Sequence, residues 1–287
     1  MLLHRLSILL ALMAFGVAVT LAPLAVRADT FDLKTLDFEK GRTYLEVNTS
    51  YFRGFPLNSE RLRGSIDPTA NYAITDNWLA AIKATTNKPF DEDFRVSTVG
   101  MEHTVALRKL EGGYAIGLYG GINAAMHRAE TNDFAFGPIV TFGTETTSLT
   151  LNPALNKTFG QNHVDGIAFT YGWQAKHELQ KGFAIGLEGY GTIQNVGAAP
   201  TLNEQPHRIG PVIYLEREFS RGAAGVAGLK GSSIKDTKSS AQAANMAANA
   251  TASSAAPPKV YMEAGVLFGL TEGTQDMVFK FKGGVEF

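Results

Sequence analysis

The stretch Met277-Val-Phe-Lys-Phe-Lys-Gly-Gly-Val-Glu-Phe287 ends the chain and decides the fold class. Its alternate positions carry apolar side chains, at Phe279, Phe281, Val285 and Phe287. Lysine, glycine and glutamate stand between them, so the apolar character repeats every second residue. A repeat of two is typical of a β-strand with one apolar and one polar face. This stretch therefore predicts a terminal strand whose last residue is aromatic.

A final alternating strand that ends in phenylalanine resembles the signal that the outer-membrane assembly machinery recognises. Phe279, Phe281, Val285 and Phe287 would carry that signal here. The expected partners are therefore outer-membrane lipid and, during biogenesis, the barrel-assembly machinery and periplasmic chaperones.

The start of the chain supports export. His4 and Arg5 precede a mostly apolar run over 8–24, and Val26-Arg27-Ala28 places small residues at the positions that a signal peptidase reads. A membrane anchor is the alternative interpretation, but Pro23 interrupts the run close to this cleavage site. We therefore expect 1–28 to be a cleaved signal peptide and 29–42 to be an N-terminal periplasmic segment.

The same alternation recurs throughout the mature chain, and it predicts about twelve strands. They lie near 43–52, 61–74, 78–86, 93–107, 113–123, 132–142, 146–157, 164–178, 182–194, 206–217, 259–269 and 277–287. Strands of about ten residues suit a tilted membrane crossing, and every backbone polar group in lipid needs an internal partner. The predicted fold is all-β, a closed antiparallel up-and-down transmembrane β-barrel over 43–287, with both termini at the periplasmic end.

One connection is unusually long. Residues 219–258 are rich in Ala, Ser and Gly, and the even strand count places them on the periplasmic side. Their composition predicts a disordered, low-complexity insertion. The Ala-rich part, 241–250, could instead form a short helix or enter the lumen.

Projecting the alternation inward gives a set of residues that would line the barrel. The candidates are Glu46, Arg63, Asp67, Lys83, Glu102, Lys176, Glu188, Arg208, Tyr214, Glu216, Glu263, Lys280 and Lys282. Their charges nearly balance, whereas a strongly ion-selective pore needs a surplus of one sign. Two interpretations stay open: an ion-pair network that fills and stiffens the barrel, or a narrow and weakly selective pathway for small solutes.

Aromatic residues divide between the two faces. Tyr119, Tyr190, Tyr214 and Tyr261 project inward, where they could contact an aromatic ligand or simply fill space. Tyr51, Tyr72, Trp78, Tyr171 and Trp173 project outward and are candidates for the aromatic girdles of a membrane barrel.

Composition and motifs argue against several other functions. The net charge is -1 and cysteine is absent, so neither nucleic-acid binding nor thiolate chemistry is expected. No hydrolase elbow, P-loop, dinucleotide fingerprint or paired-histidine metal motif is present in the sequence. We therefore predict no enzymatic activity, no metal and no cofactor.

Three stretches carry a resemblance to a known family. They are His207-Arg-Ile-Gly-Pro-Val-Ile-Tyr-Leu-Glu216, Tyr171-Gly-Trp-Gln-Ala-Lys176 and Gly269-Leu-Thr-Glu-Gly-Thr-Gln-Asp276. They resemble proteobacterial outer-membrane β-barrel proteins of the phenol-degradation MetA-like type, which are regarded as transporters. The resemblance covers most of 43–287 and implies a transport barrel, but it supplies no catalytic positions.

Three functional hypotheses follow. The first is an outer-membrane channel or facilitator for small solutes, including hydrophobic or aromatic ones. The second is a closed structural or binding barrel that docks a periplasmic partner through 219–258. The third is a secreted, soluble β-sandwich that binds a ligand.

Overall fold

The computed structural model of this chain describes residues 31–57, 61–110, 113–128, 130–144, 146–219 and 257–287. The predicted signal peptide and nearly all of the 219–258 insertion lie outside the described residues. Across the described ranges, no helix is both long and apolar enough to cross a membrane. The helical elements found there are two short 3₁₀ turns, Val196–Ala198 and Leu202–Glu204.

Twelve strands occupy the described residues. They are β1 (Thr43–Arg53), β2 (Leu62–Thr75), β3 (Trp78–Pro89), β4 (Arg95–Leu110), β5 (Tyr114–Ala125), β6 (Asn132–Gly143), β7 (Thr147–Phe159), β8 (Ala168–Gln180), β9 (Phe183–Ile193), β10 (His207–Glu218), β11 (Lys259–Gly269) and β12 (Met277–Glu286). Each predicted strand is found, because the alternation that marks a strand is strong throughout the mature chain.

The strands form one closed barrel in which each strand pairs with its sequence neighbours. The first and last strands complete the ring in antiparallel register, from Tyr44 opposite Glu286 to Arg53 opposite Met277. Closure leaves no exposed strand edge. The predicted all-β, closed antiparallel barrel is confirmed, and the β-sandwich hypothesis is wrong, since two packed sheets would not join into one continuous ring.

The two faces of the barrel wall reverse the usual order of a soluble protein. On the outside, Ile82 is 63% exposed and Leu107 is 59% exposed. On the inside, the side chains of Glu188 and Lys280 are buried. A continuous exposed apolar belt around a polar interior is the pattern of a transmembrane β-barrel.

The connections differ at the two ends of the barrel. At the end of the barrel where β1 starts and β12 ends, which we call the terminus end, the amide of Thr43 donates to the carbonyl of Phe287 over 2.9 Å. Short turns join the strands there, except that β10 and β11 are joined through 219–258. One such turn uses Gly182 with a φ of 77°, a left-handed conformation that glycine adopts without a Cβ penalty. Longer loops, including 194–206, lie at the opposite end.

The residues before β1 enter the barrel. The segment 29–42 was expected on the periplasmic side, whereas residues 31–38 lie among inward-facing side chains of several strands. Four of these eight residues are apolar and buried, so they gain more from the barrel interior than from water. We call residues 31–38 the lumenal segment.

Candidate functional site

The apolar side chains of the lumenal segment pack against the inner wall. Phe31 lies edge-on to Tyr190 with ring centroids 5.2 Å apart. Leu36 belongs to a second buried cluster with Ala106 and Ile139. Burying such side chains stabilises a docked segment by about 1.5–3 kcal/mol for each large residue. The segment is therefore held partly by the same force that holds a soluble core.

Two inward-facing glycines make room for the segment. A Cβ at Gly172 on β8 would lie 2.8 Å from Cδ2 of Leu33, and a Cβ at Gly117 on β5 would lie 2.6 Å from Cδ2 of Leu36. Contacts this short require a neighbour to move. The wall is thus shaped to accept Leu33 and Leu36.

The polar side chains of the segment form ion pairs with the wall. The two carboxylate oxygens of Asp32 accept separately, one from Lys282 of β12 over 3.0 Å and one from Lys34 over 2.8 Å. Lys34 also donates to Glu102 of β4 over 2.5 Å. These pairs connect the segment to β12 and β4, two strands that lie four places apart in the ring of twelve, so the segment bridges separate parts of the inner wall.

A single amide side chain fixes the backbone of the segment. The amide of Lys34 donates to Oδ1 of Asn152 over 2.6 Å, and Nδ2 of Asn152 donates to the carbonyl of Lys34 over 3.1 Å. Asn152 lies on β7. Its side chain imitates one rung of a β-ladder and satisfies a backbone pair that would otherwise need water.

Electrostatics keep Asp32 ionised. Burial would raise the pKa of this carboxyl, but the ammonium groups of Lys282 and Lys34 outweigh burial and hold the pKa well below its usual range. A lowered carboxyl pKa contributes stability above the ordinary value, and that contribution is lost as the pH falls below it. The ion pairs of Asp32 therefore persist at neutral pH.

A second network lies in the wall itself, around Glu188 of β9. Lys280 donates to Oε2 over 2.6 Å, and the hydroxyl of Tyr214 donates to Oε1 over 2.8 Å. Tyr190 and Gln174 also donate to this carboxylate. Glu188 is fully buried, and a buried charge persists only when its lone pairs are satisfied in this way.

The four tyrosines predicted to project inward share one arrangement, since each donates its hydroxyl to a carboxylate. Tyr119 donates to Glu102, Tyr261 donates to Glu46, and both Tyr190 and Tyr214 donate to Glu188. Their hydroxyl groups are occupied in this structure, so the tyrosines act first as part of the interior network.

The predicted lumen-lining residues take several positions. Those that line the half of the interior nearer the termini are Glu46, Glu102, Lys176, Tyr214, Glu216, Glu263 and Lys282. Lys83 lines the other half. Glu188, Lys280 and Asp67 are buried within the interior packing. The guanidinium of Arg208 lies 5.1 Å from the ring centroid of Phe31.

Arg63 differs from its expected position. The ladder between β2 and β3 skips a residue between Leu62 and Gly64, which turns the side chain of Arg63 to the outer wall. There it donates to the hydroxyl of Tyr51 over 3.4 Å, and its guanidinium lies 4.3 Å from the ring centroid of Phe90. A bulge changes which face a residue occupies, and strict alternation cannot anticipate it.

The outward residues follow the alternation. Tyr51, Tyr72 and Trp78 are exposed, while Tyr171 and Trp173 lie flat over Gly191 and Gly189 on the neighbouring strand. The proposed assembly residues are also exposed on the outer face of β12, and they are Phe279, Phe281, Val285 and Phe287.

The lumenal segment separates two cavities. The loop-side cavity has a volume of about 250 Å³, and the terminus-side cavity has a volume of about 950 Å³. Asp32, Leu33 and Lys34 line both of them. The sequence does not predict that the segment lies between two cavities. The apolar residues at 31, 33, 36 and 38 indicate only that this segment packs against an apolar surface.

Comparisons with known proteins identify the fold. No protein-family model matches the chain, and no curated protein matches it in sequence. Among solved structures, an outer-membrane channel from Pseudomonas putida superposes with a TM-score of 0.55 at 9% identity, covering 89% of this chain and 100% of that one. A KdgM porin superposes with a TM-score of 0.45 at 8% identity, covering 85% of this chain and 98% of that one. At 9% identity the likeness to the Pseudomonas putida channel shows the fold alone, that of an outer-membrane β-barrel.

Proposed function

We propose that this protein is an outer-membrane channel for small solutes of low charge, including aromatic or hydrophobic ones. The observation that carries the proposal is the pair of cavities inside one closed barrel, with the lumenal segment lying between them. A barrel that served as a solid structural element would need no such cavities. The segment is continuous with β1 at one end only, so it can leave the lumen without breaking the wall.

The chemistry of the loop-side cavity supports the solute class. Most of its lining is neutral: threonine and asparagine side chains alternate with small apolar ones such as Ala154 and Ile139. A cavity of about 150 Å³ in another protein holds benzene. The loop-side cavity, at about 250 Å³, has the size for a single ring with a few polar substituents.

Two further features agree with the proposal. The MetA-like transporter resemblance, which rests on sequence stretches in β8, β10 and the β11–β12 connection, points to the same activity. The Pseudomonas putida structure that shares the fold is that of an outer-membrane channel.

The interior networks favour a second candidate, a closed binding barrel. Ion pairs and buried tyrosines fill much of the space between the cavities, as Glu188 and Glu102 show. In this candidate the lumenal segment stays in place, and a periplasmic partner docks through 219–258, a stretch that lies almost wholly outside the described residues.

Single-channel conductance in a planar lipid bilayer tests the first candidate. The mature chain, starting at residue 29, is refolded and compared with a chain that starts at residue 39 and so lacks the lumenal segment. We expect small or rare current steps from the longer chain and steps several-fold larger from the shorter one.

Two other results would contradict the channel proposal or the role of the lumenal segment in it. Insertion of both chains without current would remove the channel and favour the closed binding barrel. Equal conductance from both chains would show that the lumenal segment does not limit flow. A migration shift between boiled and unboiled samples on a gel verifies that each chain has formed a barrel.

Location and assembly belong to the same proposal. We infer that the protein is exported, loses residues 1–28 and is inserted by the barrel-assembly machinery through the β12 signal. Removing Phe287 in cells should lower the amount of folded barrel in the outer membrane, whereas Leu270→Ser, a change in an exposed loop residue, should not.

A further inference from the structure

The outer wall carries a cluster of basic residues at the loop end of β1, β2 and β3. We call Arg53, Arg61, Arg63 and Lys88 the rim cluster. Arg53 is the last residue of β1 and is exposed on the apolar face that includes Tyr51. Arg61 and Arg63 flank the start of β2, and Lys88 is next to the last residue of β3.

Aromatic rings hold the guanidinium groups of the cluster in place. Arg61 lies 5.1 Å from the ring centroid of Phe55, and Arg63 lies 4.3 Å from that of Phe90. Phe55 and Phe90 themselves meet edge to face at 5.0 Å. A stacked guanidinium keeps its N–H edges available, and these edges match the oxygens of a phosphate in a bidentate way.

Within the described ranges, no acidic side chain forms a salt bridge with the cluster, although nearby Arg95 pairs with Glu92 and Glu130. Lys88 donates to the carbonyl of Glu92 over 2.8 Å and lies 5.5 Å from the ring centroid of Phe94. Cations that share one rim of the barrel without salt-bridge partners repel one another, so an external anion would lower the energy of this surface.

The position of the cluster indicates where that anion would lie. Along β1 the outward side chains run from apolar Val47 through Tyr51 to Arg53. Aromatic residues mark the boundary between the hydrocarbon core and the headgroups in outer-membrane barrels. The rim cluster therefore stands at headgroup level, with exposed Phe55 and Phe90 beside it to contact acyl chains.

We propose that the rim cluster binds the phosphorylated glycolipid of the outer leaflet, through the phosphates of its acylated diglucosamine. This inference rests on the outer-membrane orientation proposed above, in which the loops face outward. The stacked guanidiniums of Arg61 and Arg63 bind one phosphate, Arg53 and Lys88 add charge, and Phe55 and Phe90 pack on the adjoining chains.

Native mass spectrometry of the mature barrel in detergent tests the proposal. The probes are bisphosphorylated lipid A, its dephosphorylated form and phosphatidylglycerol. We expect saturable binding of bisphosphorylated lipid A. The double variant Arg61→Ser, Arg63→Ser should weaken that binding by about tenfold, the loss expected when charge-assisted hydrogen bonds are removed.

A matched control removes two cations from the other end of the barrel. Arg108→Ser with Lys181→Ser, both exposed positions, should leave lipid A binding within about twofold. The double variant Arg61→Lys, Arg63→Lys keeps the charge but loses the planar guanidinium groups that can bind a phosphate through two N–H groups at once. Its binding should weaken by about threefold. The gel shift between boiled and unboiled samples verifies that every variant is folded.

Three results would overturn the assignment: unchanged binding by the serine variant, equal binding of dephosphorylated lipid A, or equal binding of phosphatidylglycerol. The outcome is separable from the channel proposal, because the rim cluster lies outside the lumen. If the barrel binds lipid A through Arg61 and Arg63 but passes no current, only the channel proposal is contradicted. If the barrel conducts but binds the three lipids equally, only the lipid A proposal is contradicted.

Discussion

The two cavities share Asp32, Leu33 and Lys34 but differ in the rest of their lining. The terminus-side cavity is bordered by many ionisable side chains, among them Glu216 and Glu263, whereas the loop-side cavity is bordered mostly by threonine, asparagine and small apolar residues. If the barrel is a channel as proposed, a solute entering from the loops meets a mostly neutral lining with a few charges, among them Lys83 and Asp133, and a more highly charged lining beyond the lumenal segment. The proposal then predicts that the loop-side cavity limits solute size and that the terminus-side cavity determines ion selectivity.

The boundary between the cavities depends most on Asp32. Asp32→Lys would place a third ammonium beside Lys34 and Lys282, and the segment would leave the lumen. We expect conductance to rise several-fold, nearly to that of the chain starting at residue 39, in the planar bilayer assay. Glu39→Lys is the matched control, since Glu39 is exposed just after the lumenal segment and lines neither cavity, so conductance should stay unchanged.

The wall network around Glu188 should matter more for stability than for flow. Glu188→Gln leaves buried Lys280 with only the more distant carboxylate of Glu263, at 3.6 Å, as its counter-charge. Removing one partner of a buried pair costs up to about 3–5 kcal/mol. Urea unfolding in detergent, followed by tryptophan fluorescence, should show a lower midpoint. Glu188→Met combined with Lys280→Met should recover much of the loss, and a double variant no more stable than the single one would contradict this account.

Ionic selectivity should depend on the terminus-side cavity. Removing two charges from it, with Glu216→Gln and Glu263→Gln, should shift the permeability ratio toward anions by about twofold to fourfold. Reversal potentials under a salt gradient measure this ratio. Thr131→Val alters the neutral lining of the loop-side cavity and should leave the ratio as it was. Equal shifts from both changes would mean that the two cavities are not distinct in function.

The loop-side cavity should control solute size. Ala154→Leu adds three carbons to a cavity of about 250 Å³ and should slow entry of a neutral single-ring solute severalfold. Swelling of liposomes that contain the protein measures the rate, and ion selectivity of the same variant should not change. Ala154→Ser keeps the size and should retain the rate, so a loss in both variants would argue against a size limit at this position.

The smallest effect is expected at Asn152. Asn152→Ala removes two hydrogen bonds to the backbone of Lys34 but leaves the ion pairs of the lumenal segment intact. Each neutral hydrogen bond contributes about 1 kcal/mol, so brief openings should become more frequent while the mean current changes little. Long single-channel recordings resolve this. A mean current as large as that of Asp32→Lys would show that the hydrogen bonds of Asn152 to the Lys34 backbone, and not the ion pairs, hold the lumenal segment in place.

The wall of the barrel was predictable because its signal is local. In β12, the alternation of Phe279, Lys280, Phe281 and Lys282 identifies the strand and both of its faces without knowledge of any partner. The same period-2 pattern, applied to the rest of the mature chain, predicts twelve strands, an even number. Arg63 shows where prediction from alternation stops being reliable. The bulge between Leu62 and Gly64 moves the Arg63 side chain to the other face of the strand, and the sequence periodicity does not reveal the bulge.

The interior was much less predictable because its contacts join distant residues. The partner of Asp32 is Lys282, which follows it by 250 positions, and Lys280 is 92 positions from Glu188. Alternation predicts that Glu188, Lys280 and Lys282 face inward, but it says nothing of Asp32 and cannot show which residues meet. The sequence predicts a nearly balanced sum of interior charges, whereas the division into a segment network and a wall network required the structure.

The attachment of Asp32 to Lys282 also has a consequence for the order of assembly. Lys282 lies on β12, the strand that joins β1 to complete the ring. Its ammonium takes its place in the lumen only when that seam has formed. The lumenal segment therefore reaches its full set of contacts only in the closed ring, because before closure it has Glu102, Asn152 and the apolar packing but not the ion pair to Lys282.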